Sequence, residues 1–230
     1  MTVLIQARMS SKRLPKKVLK KVNGIPILLY LIERLNKSNK ISDIIILTSD
    51  HDSDNPIAEF CIEKKLKCIR GPLKDVSRRF VLAIEKYNLT SFVRICGDSP
   101  LLDHKILELG FSIFNKNKFD IVTNIFPRSY PKGQSIEIIN GKVFIEAYKR
   151  FNNKKEFEHV TSHFYHNHHK YNIFNFKDIR YRNNYRLVID TVEDFYNFKQ
   201  IIKCLELDHT NYDVNDLIEI IKRNDIKCIT

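Results

Sequence analysis

A basic, hydroxyl-rich segment directly follows the first apolar run of the chain. Residues 2–7 (TVLIQA) have the composition of a buried strand, and residues 8–17 (RMSSKRLPKK) bring five cations and two serines. In an open α/β sheet, ligands bind beyond the carboxyl ends of the strands. Lysine and arginine there can donate charge-assisted hydrogen bonds to phosphate oxygens, and small serines let backbone N–H groups approach an anion. The segment predicts a phosphate site, and a solvated basic loop is the alternative.

Two later apolar runs each lead into an aspartate. Asp98 follows a strand predicted over 91–96, and Asp190 follows a strand predicted over 186–189. Either side chain could simply cap the turn or helix that comes next, and Thr191 competes with Asp190 for that role. Two strand-end carboxylates could instead hold one hard cation, since Mg²⁺ is bound by one or two carboxylates together with substrate phosphates. The spacing alone leaves both interpretations open.

Histidines are concentrated between residues 159 and 169. His159, His163 and His166 share one face of a helix that the pattern predicts over 156–168. A zinc site would need further ligands, and neither a nearby cysteine nor an H-E-x-x-H arrangement supplies them. The pattern favours a polar helix face that lines a cleft.

The elements that position these residues alternate between strand and helix periodicity. This alternation predicts an α/β fold with a Rossmann-like, mostly parallel sheet flanked by helices. One domain over residues 1–230 is expected, with a smaller lobe or insertion at roughly 125–182 and loops over 127–133 and 171–184. Beyond the first run, the pattern predicts strands over 44–48, 67–70, 91–96, 120–123, 135–139 and 186–189, and helices over 26–35, 56–65, 75–87, 104–114, 141–151, 156–168, 192–205 and 214–222.

Composition limits the class of protein. A hydrophobic fraction of 43% is enough for a core, and no apolar run reaches the length of about 18 residues that spans a bilayer. The N-terminal run is too short for a signal peptide, and the five scattered cysteines favour reduced thiols in a cytoplasmic protein. The net charge of +12 fits a nucleic acid or a small polyanion. Outside residues 12–21 the cations are dispersed, which favours the small polyanion.

The basic segment Ala7-Arg8-Met9-Ser10-Ser11-Lys12-Arg13-Leu14-Pro15-x-Lys17 resembles the nucleotide loop of the cytidylyltransferases that activate acidic sugars. That family includes the 3-deoxy-manno-octulosonate and acylneuraminate enzymes, and the resemblance is strongest to the branch of the spore-coat polysaccharide biosynthesis protein F. The matches occur in the family's order and span residues 3 to about 195. The further matching segments are Arg70-Gly71 with Asp75-Val76 and Arg79, Gly97-Asp98-Ser99-Pro100-Leu101, Pro131-x-Gly133 with Glu137, Glu158-His159-Val160-Thr161, and Asp190-Thr191-x-Glu193-Asp194.

The resemblance implies a nucleotidyltransferase that uses CTP and Mg²⁺ and forms a homodimer through the smaller lobe. It implies that Asp98 and Asp190 bind the metal and act in catalysis together with Arg8 and Lys17. The residues implied for the nucleotide are Ala7, Arg8, Ser10, Arg13, Lys17, Arg70, Arg79 and Gly97, and those implied for the acceptor are Gly133, Glu137, Glu158 and His159.

The expected reaction is attack of an acidic sugar on the α-phosphorus of CTP, with release of pyrophosphate. The CMP-sugar would serve the synthesis of a surface polysaccharide or glycan, with no role for nucleic acid or a membrane. A phosphate or phosphonate acceptor would give a CDP-linked product instead, and a nucleic-acid-binding protein is a third interpretation of the charge. The sequence departs from the family at Lys16, where the family has glycine, a residue that adopts positive φ at low cost.

Overall fold

A computed structural model describes residues 1–180, 182 and 184–229. The strands of this part of the chain are β1 (Thr2–Gln6), β2 (Lys21–Val22), β3 (Ile25–Pro26), β4 (Asp43–Ser49), β5 (Lys67–Gly71), β6 (Ser91–Cys96), β7 (Ile121–Thr123), β8 (Glu137–Asn140) and β9 (Ile173–Asn175). The α-helices are α1 (Ile27–Leu35), α2 (Asn55–Glu63), α3 (Val76–Tyr87), α4 (His104–Lys116), α5 (Gly141–Tyr148), α6 (Lys154–Glu158), α7 (Ser162–His166), α8 (Val192–Lys203) and α9 (Val214–Arg223).

Seven strands form one sheet in the order β5-β4-β1-β6-β8-β7-β9. Strands β5, β4, β1 and β6 are parallel, β8 is antiparallel to both of its neighbours, and β9 is parallel to β7. The chain runs from β1 to β4 and β5 on one side, then returns to place β6 on the other side of β1. Ligands in such sheets bind in the crevice where the strand order reverses, which here lies beyond the carboxyl ends of β1 and β6.

Two apolar cores cover the two faces of the sheet, because successive side chains of a strand point to opposite faces. Val3 and Ile5 of β1 lie in one core with α1, α4, α8 and α9. Leu4 lies in the other core with α3 and α5. All three β1 side chains are fully buried, as expected for a parallel strand with helices on both sides. The predicted α/β class with a mostly parallel sheet is confirmed.

The second half of the chain differs from the sequence prediction in three places. Residues 186–189 do not form a strand, because Leu187 N donates to Lys132 O and Ile189 N donates to Asp98 O, which are carbonyls of two different loops. The helix predicted over 156–168 is interrupted between α6 and α7, where Val160 has a φ of 34°. The segment 171–184, predicted as a loop, contains β9. The other predicted elements are present, with ends shifted by up to three residues.

The segment 125–182, expected as a smaller lobe, contributes β8 and β9 to the main sheet. The boundaries of a separate lobe therefore stay a prediction. Among the described residues, no helix combines the length and the apolar character needed to span a membrane.

Candidate active site

The loop over residues 7–16 begins at the carboxyl edge of the sheet, in the crevice between β1 and β6. Ala7 N donates to Leu47 O at 2.9 Å, and Gly97 N donates to Gln6 O at 2.9 Å. A β-carbon at position 97 would lie 3.1 Å from Gln6 O and 3.3 Å from Ala7 Cβ. Glycine therefore lets the ends of the two strands approach closely.

The buried carboxylate of Asp54 fixes the start of this loop. Met9 N donates to Asp54 Oδ1 at 2.7 Å, and Ser49 N donates to Asp54 Oδ2 at 3.1 Å. Asp54 is fully buried, so these donors supply the hydrogen bonds that its carboxylate cannot make to water. Sequence reasoning missed this residue because it lies in a polar stretch, residues 50–55, that has the composition of an exposed turn.

Lys16 has a left-handed backbone, with a φ of 60° and a ψ of 17°, directly before the short 3₁₀ turn Lys17–Leu19. Its N–H donates to Met9 O at 2.9 Å, which closes the loop upon itself. The position where the family has glycine thus requires the conformation that glycine adopts most readily. The lysine keeps the loop geometry at a conformational cost.

We expect Lys16→Gly to raise the free energy of unfolding by about 0.5–1 kcal/mol. A β-carbon in the left-handed region costs about 1–2 kcal/mol, so its removal stabilises the folded protein by about that amount. The greater conformational freedom of glycine in the unfolded chain offsets part of this stabilisation. Urea unfolding of both proteins measures the difference. Lys20→Gly is the control, because Lys20 has a φ of −62° and its replacement should lower stability. Equal losses in the two variants would contradict a strained Lys16.

Lys17 joins the two strand-end aspartates. Its Nζ lies 2.6 Å from Asp98 Oδ2 and 2.7 Å from Asp190 Oδ1, and the lysine is 8% exposed. Although burial acts in the opposite direction, the two carboxylates raise the pKa of Lys17 above its ordinary value. The structure therefore brings together three of the residues implied for catalysis.

Neither aspartate is used as a helix cap. The cap of α8 is Thr191, whose side chain accepts from Asp194 N, and the cap of α4 is Asp103, which accepts from Lys105 N. The alternative interpretation of Asp190 as the cap of the helix that follows it is therefore wrong. Both carboxylates are directed to Lys17 instead.

Asp190 also contacts two arginines through its other oxygen. Asp190 Oδ2 lies 3.1 Å from Arg13 Nη2 and 3.2 Å from Arg186 Nη2. Arg186 is held in turn by Asp194, with Nε–Oδ1 at 2.6 Å. Burial opposes ionisation of Asp190, but Lys17, Arg13 and Arg186 together hold its pKa below the ordinary value.

Gly133 fixes the segment that leads to Asp190. Its φ is +97°, and a β-carbon there would lie 2.5 Å from Leu187 C and 2.7 Å from Val188 N. The neighbouring Lys132 accepts from Leu187 N at 2.7 Å. Gly133 is thus placed to align the backbone before Asp190.

Gly133→Ala is expected to lower the free energy of unfolding by about 3 kcal/mol, since it adds both a backbone clash and an unfavourable φ. Gly24→Ala is the matched control. Gly24 has a φ of +80°, and no heavy atom of the described residues lies within 4 Å of an added β-carbon. The control should lose only about 1 kcal/mol. Thermal or urea unfolding measures the stability of both variants. Equal losses of stability in Gly133→Ala and Gly24→Ala would show that the contact with residues 187–188 is unimportant.

Arg8 and Glu158 form an ion pair across the mouth of the crevice. Arg8 Nη2 lies 3.2 Å from Glu158 Oε1, and both side chains are about half exposed, at 43% and 47%. Glu158 ends α6, and His159 follows it with an exposed side chain. Ser10 is also exposed. His159 does not share a helix face with His163 as predicted, because the helix is interrupted there.

Two predicted nucleotide residues support loops around the sheet edge. Arg70 Nε donates to Ser49 O at 2.9 Å, and Arg70 Nη2 donates to Asn55 Oδ1 at 2.7 Å. Arg79 is 1% exposed and donates to the carbonyls of Pro72 and Leu73. These bonds give both arginines a structural role, and contact with a nucleotide stays a prediction.

Glu137 lies in a buried polar network on the β8 side of the sheet. It is 1% exposed, pairs with Arg94 Nη1 and accepts from Tyr165 Oη at 2.5 Å. Arg94 Nε also donates to Gln6 Oε1 at 3.1 Å, which links the network to β1. Burial and the adjacent Glu137 raise the pKa of Tyr165 well above its ordinary value. Arg94 was missed, although a lone cation in the apolar run 91–96 is the signal that could have revealed it.

The donor set at Asp98 and Asp190 fits magnesium better than a transition metal. Within residues 1–180, 182 and 184–229, no group of three or more His, Cys, Asp and Glu side chains could hold a metal ion. In proteins, Mg²⁺ is commonly bound by one or two carboxylates when substrate phosphates supply the other oxygen ligands. Their oxygens already converge on one positive charge, the Lys17 ammonium. These two residues could therefore hold Mg²⁺.

Both the sequence motifs and the fold are those of one protein family. The family model of cytidylyltransferases matches residues 2–224. The chain belongs to the cytidylyltransferase family. The resemblance stated from the sequence is thereby confirmed, and the enzyme is a CTP-dependent nucleotidyltransferase.

Two relatives match almost the whole length of this cytidylyltransferase, and a third matches a little over half of it. The uncharacterized protein MJ1063 of Methanocaldococcus jannaschii is 35% identical over 96% of this chain and 90% of the relative. The spore coat polysaccharide biosynthesis protein SpsF of Bacillus subtilis is 28% identical over 96% of this chain and 93% of the relative. A 3-deoxy-manno-octulosonate cytidylyltransferase of Bdellovibrio bacteriovorus is 29% identical over 59% of this chain and 55% of the relative.

Solved structures share the fold of this cytidylyltransferase. A cytidylyltransferase from Leptospira borgpetersenii superimposes with a TM-score of 0.93 at 33% identity, covering 99% of this chain and 97% of the other. A CMP:2-keto-3-deoxy-manno-octonic acid synthetase complexed with CTP superimposes with a TM-score of 0.67 at 16% identity, covering 88% and 98%. At that identity the second likeness shows the fold alone.

Proposed function

We propose that the enzyme activates an acidic sugar of the ulosonate or nonulosonate class with CTP, giving a CMP-sugar and pyrophosphate. The observation that carries the proposal is the convergence of Asp98 and Asp190 on Lys17, beside the basic loop at the β1–β6 crevice. Relatives named for 3-deoxy-manno-octulosonate and for spore coat polysaccharide support the acceptor class and a role in surface polysaccharide or glycan synthesis.

The reaction joins the oxygen of an acceptor hydroxyl to the α-phosphorus of CTP and breaks the bond from that phosphorus to the oxygen shared with the β-phosphate. Pyrophosphate leaves, and the hydroxyl proton is released to solvent. Arg8, Arg13 and Lys17 would bind the phosphate oxygens, and Arg13 is well placed because 65% of its side chain is exposed. Ala7, Ser10 and Gly97 would line the nucleotide site, where these small residues let backbone atoms approach the nucleotide. Positioning and charge stabilisation supply most of the catalysis in such transfers.

Asp98 and Asp190 would hold Mg²⁺ together with phosphate oxygens. Magnesium bound there would offset the negative charge that develops on the α-phosphate and the leaving group. The role of Arg186 is to keep the Asp190 carboxylate ionised and oriented, because it bonds both Asp190 and Asp194.

The acceptor would lie between the loop of Gly133 and the end of α6. Glu158 and His159 are exposed at the mouth of the crevice and can contact it directly. Glu137 is engaged by Arg94 and Tyr165, so we expect it to shape the floor of the acceptor pocket.

A homodimer through residues 125–182 is part of the proposal. Strand β9 is at the edge of the sheet and presents a partly exposed Phe174, which is 40% accessible. An unpaired apolar edge favours pairing with another chain. Sedimentation equilibrium tests the dimer, and a monomer at micromolar concentration would contradict it.

The product mass tests the proposed acceptor class. The enzyme is incubated with CTP, Mg²⁺ and one acceptor at a time from a panel of ulosonates, nonulosonates and sugar phosphates. The proposal predicts a product that joins the acidic sugar to CMP through one phosphate. A product with two phosphates between cytidine and the acceptor would show that the acceptor is a phosphate and would contradict the proposal.

A further inference from the structure

The Lys17 ammonium lies at the point where the two proposed metal ligands face each other. It donates to Asp98 Oδ2 and Asp190 Oδ1, whereas Arg13 and Arg186 contact the other oxygen of Asp190, Oδ2. Resting on the proposed function, we infer that Lys17 is an internal counter-ion that excludes the metal until the nucleotide arrives. Binding of the metal is thereby made dependent on binding of CTP.

An ammonium and a divalent cation compete for these oxygens. Nζ lies within 2.7 Å of both carboxylates, and the lysine side chain is only 10% exposed. Like charges at such separations repel strongly in a partly buried site. A metal ion alone would have to displace Lys17 without offering it another partner.

The triphosphate offers Lys17 that partner. Lys17 directly follows the basic loop and is carried by a short 3₁₀ turn rather than by the sheet. Its long side chain can exchange the carboxylates for phosphate oxygens, which are equally good acceptors of a charge-assisted hydrogen bond. The two oxygens that Lys17 leaves are then available to the metal.

The Asp190 carboxylate is held in place when Lys17 leaves. It retains Arg186, which is anchored by two bonds to Asp194, at 2.6 and 3.0 Å. A coupling of this kind is reciprocal, so the metal must strengthen nucleotide binding by the same factor.

Manganese binding in the absence of nucleotide tests the inference. Water proton relaxation rises when Mn²⁺ binds to a protein, so it reports binding without catalysis. We expect the wild-type protein to bind Mn²⁺ weakly, and both Lys17→Met and Lys17→Gln to bind it at least tenfold more tightly. Lys21→Met removes the same charge from an exposed position and should behave like wild type. Adding Asp98→Asn to Lys17→Met should abolish the gain.

Two results would overturn the inference in distinguishable ways. If folded Lys17→Met and Lys17→Gln bind Mn²⁺ no better than wild type, while CTP promotes Asp98-dependent Mn²⁺ binding by wild type, Lys17 is not the excluding group and the proposed function stands. If CTP promotes no Asp98-dependent Mn²⁺ binding by wild type, the proposed metal site fails and the inference fails with it.

Discussion

Asp98→Asn is expected to lower turnover at least ~100-fold with little change in stability. Removing one preorganised electrostatic contact from a transition state typically costs about 10²–10³ in rate. Asparagine keeps the shape of the side chain but removes the charge that Lys17 contacts and that a metal ion would require. The rate of pyrophosphate release from saturating CTP and acceptor measures the loss, and thermal unfolding measures stability.

Asp225→Asn provides the control for Asp98→Asn. It makes the same chemical change at an exposed position after α9 and should leave the rate unchanged. A turnover of Asp98→Asn within a few-fold of wild type would show that this carboxylate has no catalytic role.

Glu137→Gln is expected to lower the free energy of unfolding by about 3–5 kcal/mol. The substitution keeps the volume and an oxygen for Tyr165 but leaves the Arg94 guanidinium without its counter-charge, and an unpaired buried charge carries a penalty of this size. The side chains of Arg94 and Glu137 are only 13% and 1% exposed, so solvent can compensate little. Urea unfolding measures the loss.

Combining Glu137→Gln with Arg94→Met should recover much of the stability, because no unpaired charge is left at this buried pair. A loss below about 1 kcal/mol in the single variant would mean that Arg94 does not depend on Glu137. A double variant less stable than Glu137→Gln would show that Arg94 contributes mainly through packing and its bond to Gln6.

The sheet and the position of the basic loop follow from local sequence. Residues 44–47 are apolar at every position, as burial on both faces of a sheet requires, and residues 3–5 of β1 have the same character. Parallel strands place their carboxyl ends at one edge, so the loop after β1 and Asp98 after β6 were expected at the same edge of the sheet. The fold class and the general location of the site could therefore be predicted from the sequence.

The partners within the site depend on contacts between distant parts of the chain. Lys17 is separated from Asp98 by 81 positions and from Asp190 by 173, and no local pattern encodes which cation meets which carboxylate. The same holds for Arg94 and Glu137, which are separated by 43 positions. Residues 186–189 resemble a strand because Leu187 and Ile189 alternate inward, yet their backbone bonds go to loops. Tertiary context decides such cases.

Pyrophosphate release from each of the four nucleoside triphosphates, in the presence of Mg²⁺ and a panel of acidic sugars, tests the central claim most directly. The predicted result is release from CTP, dependent on one class of acidic acceptor and lost in Asp98→Asn. Acceptor-dependent release from CTP that is equally fast in Asp98→Asn would contradict the site proposed at the β1–β6 crevice.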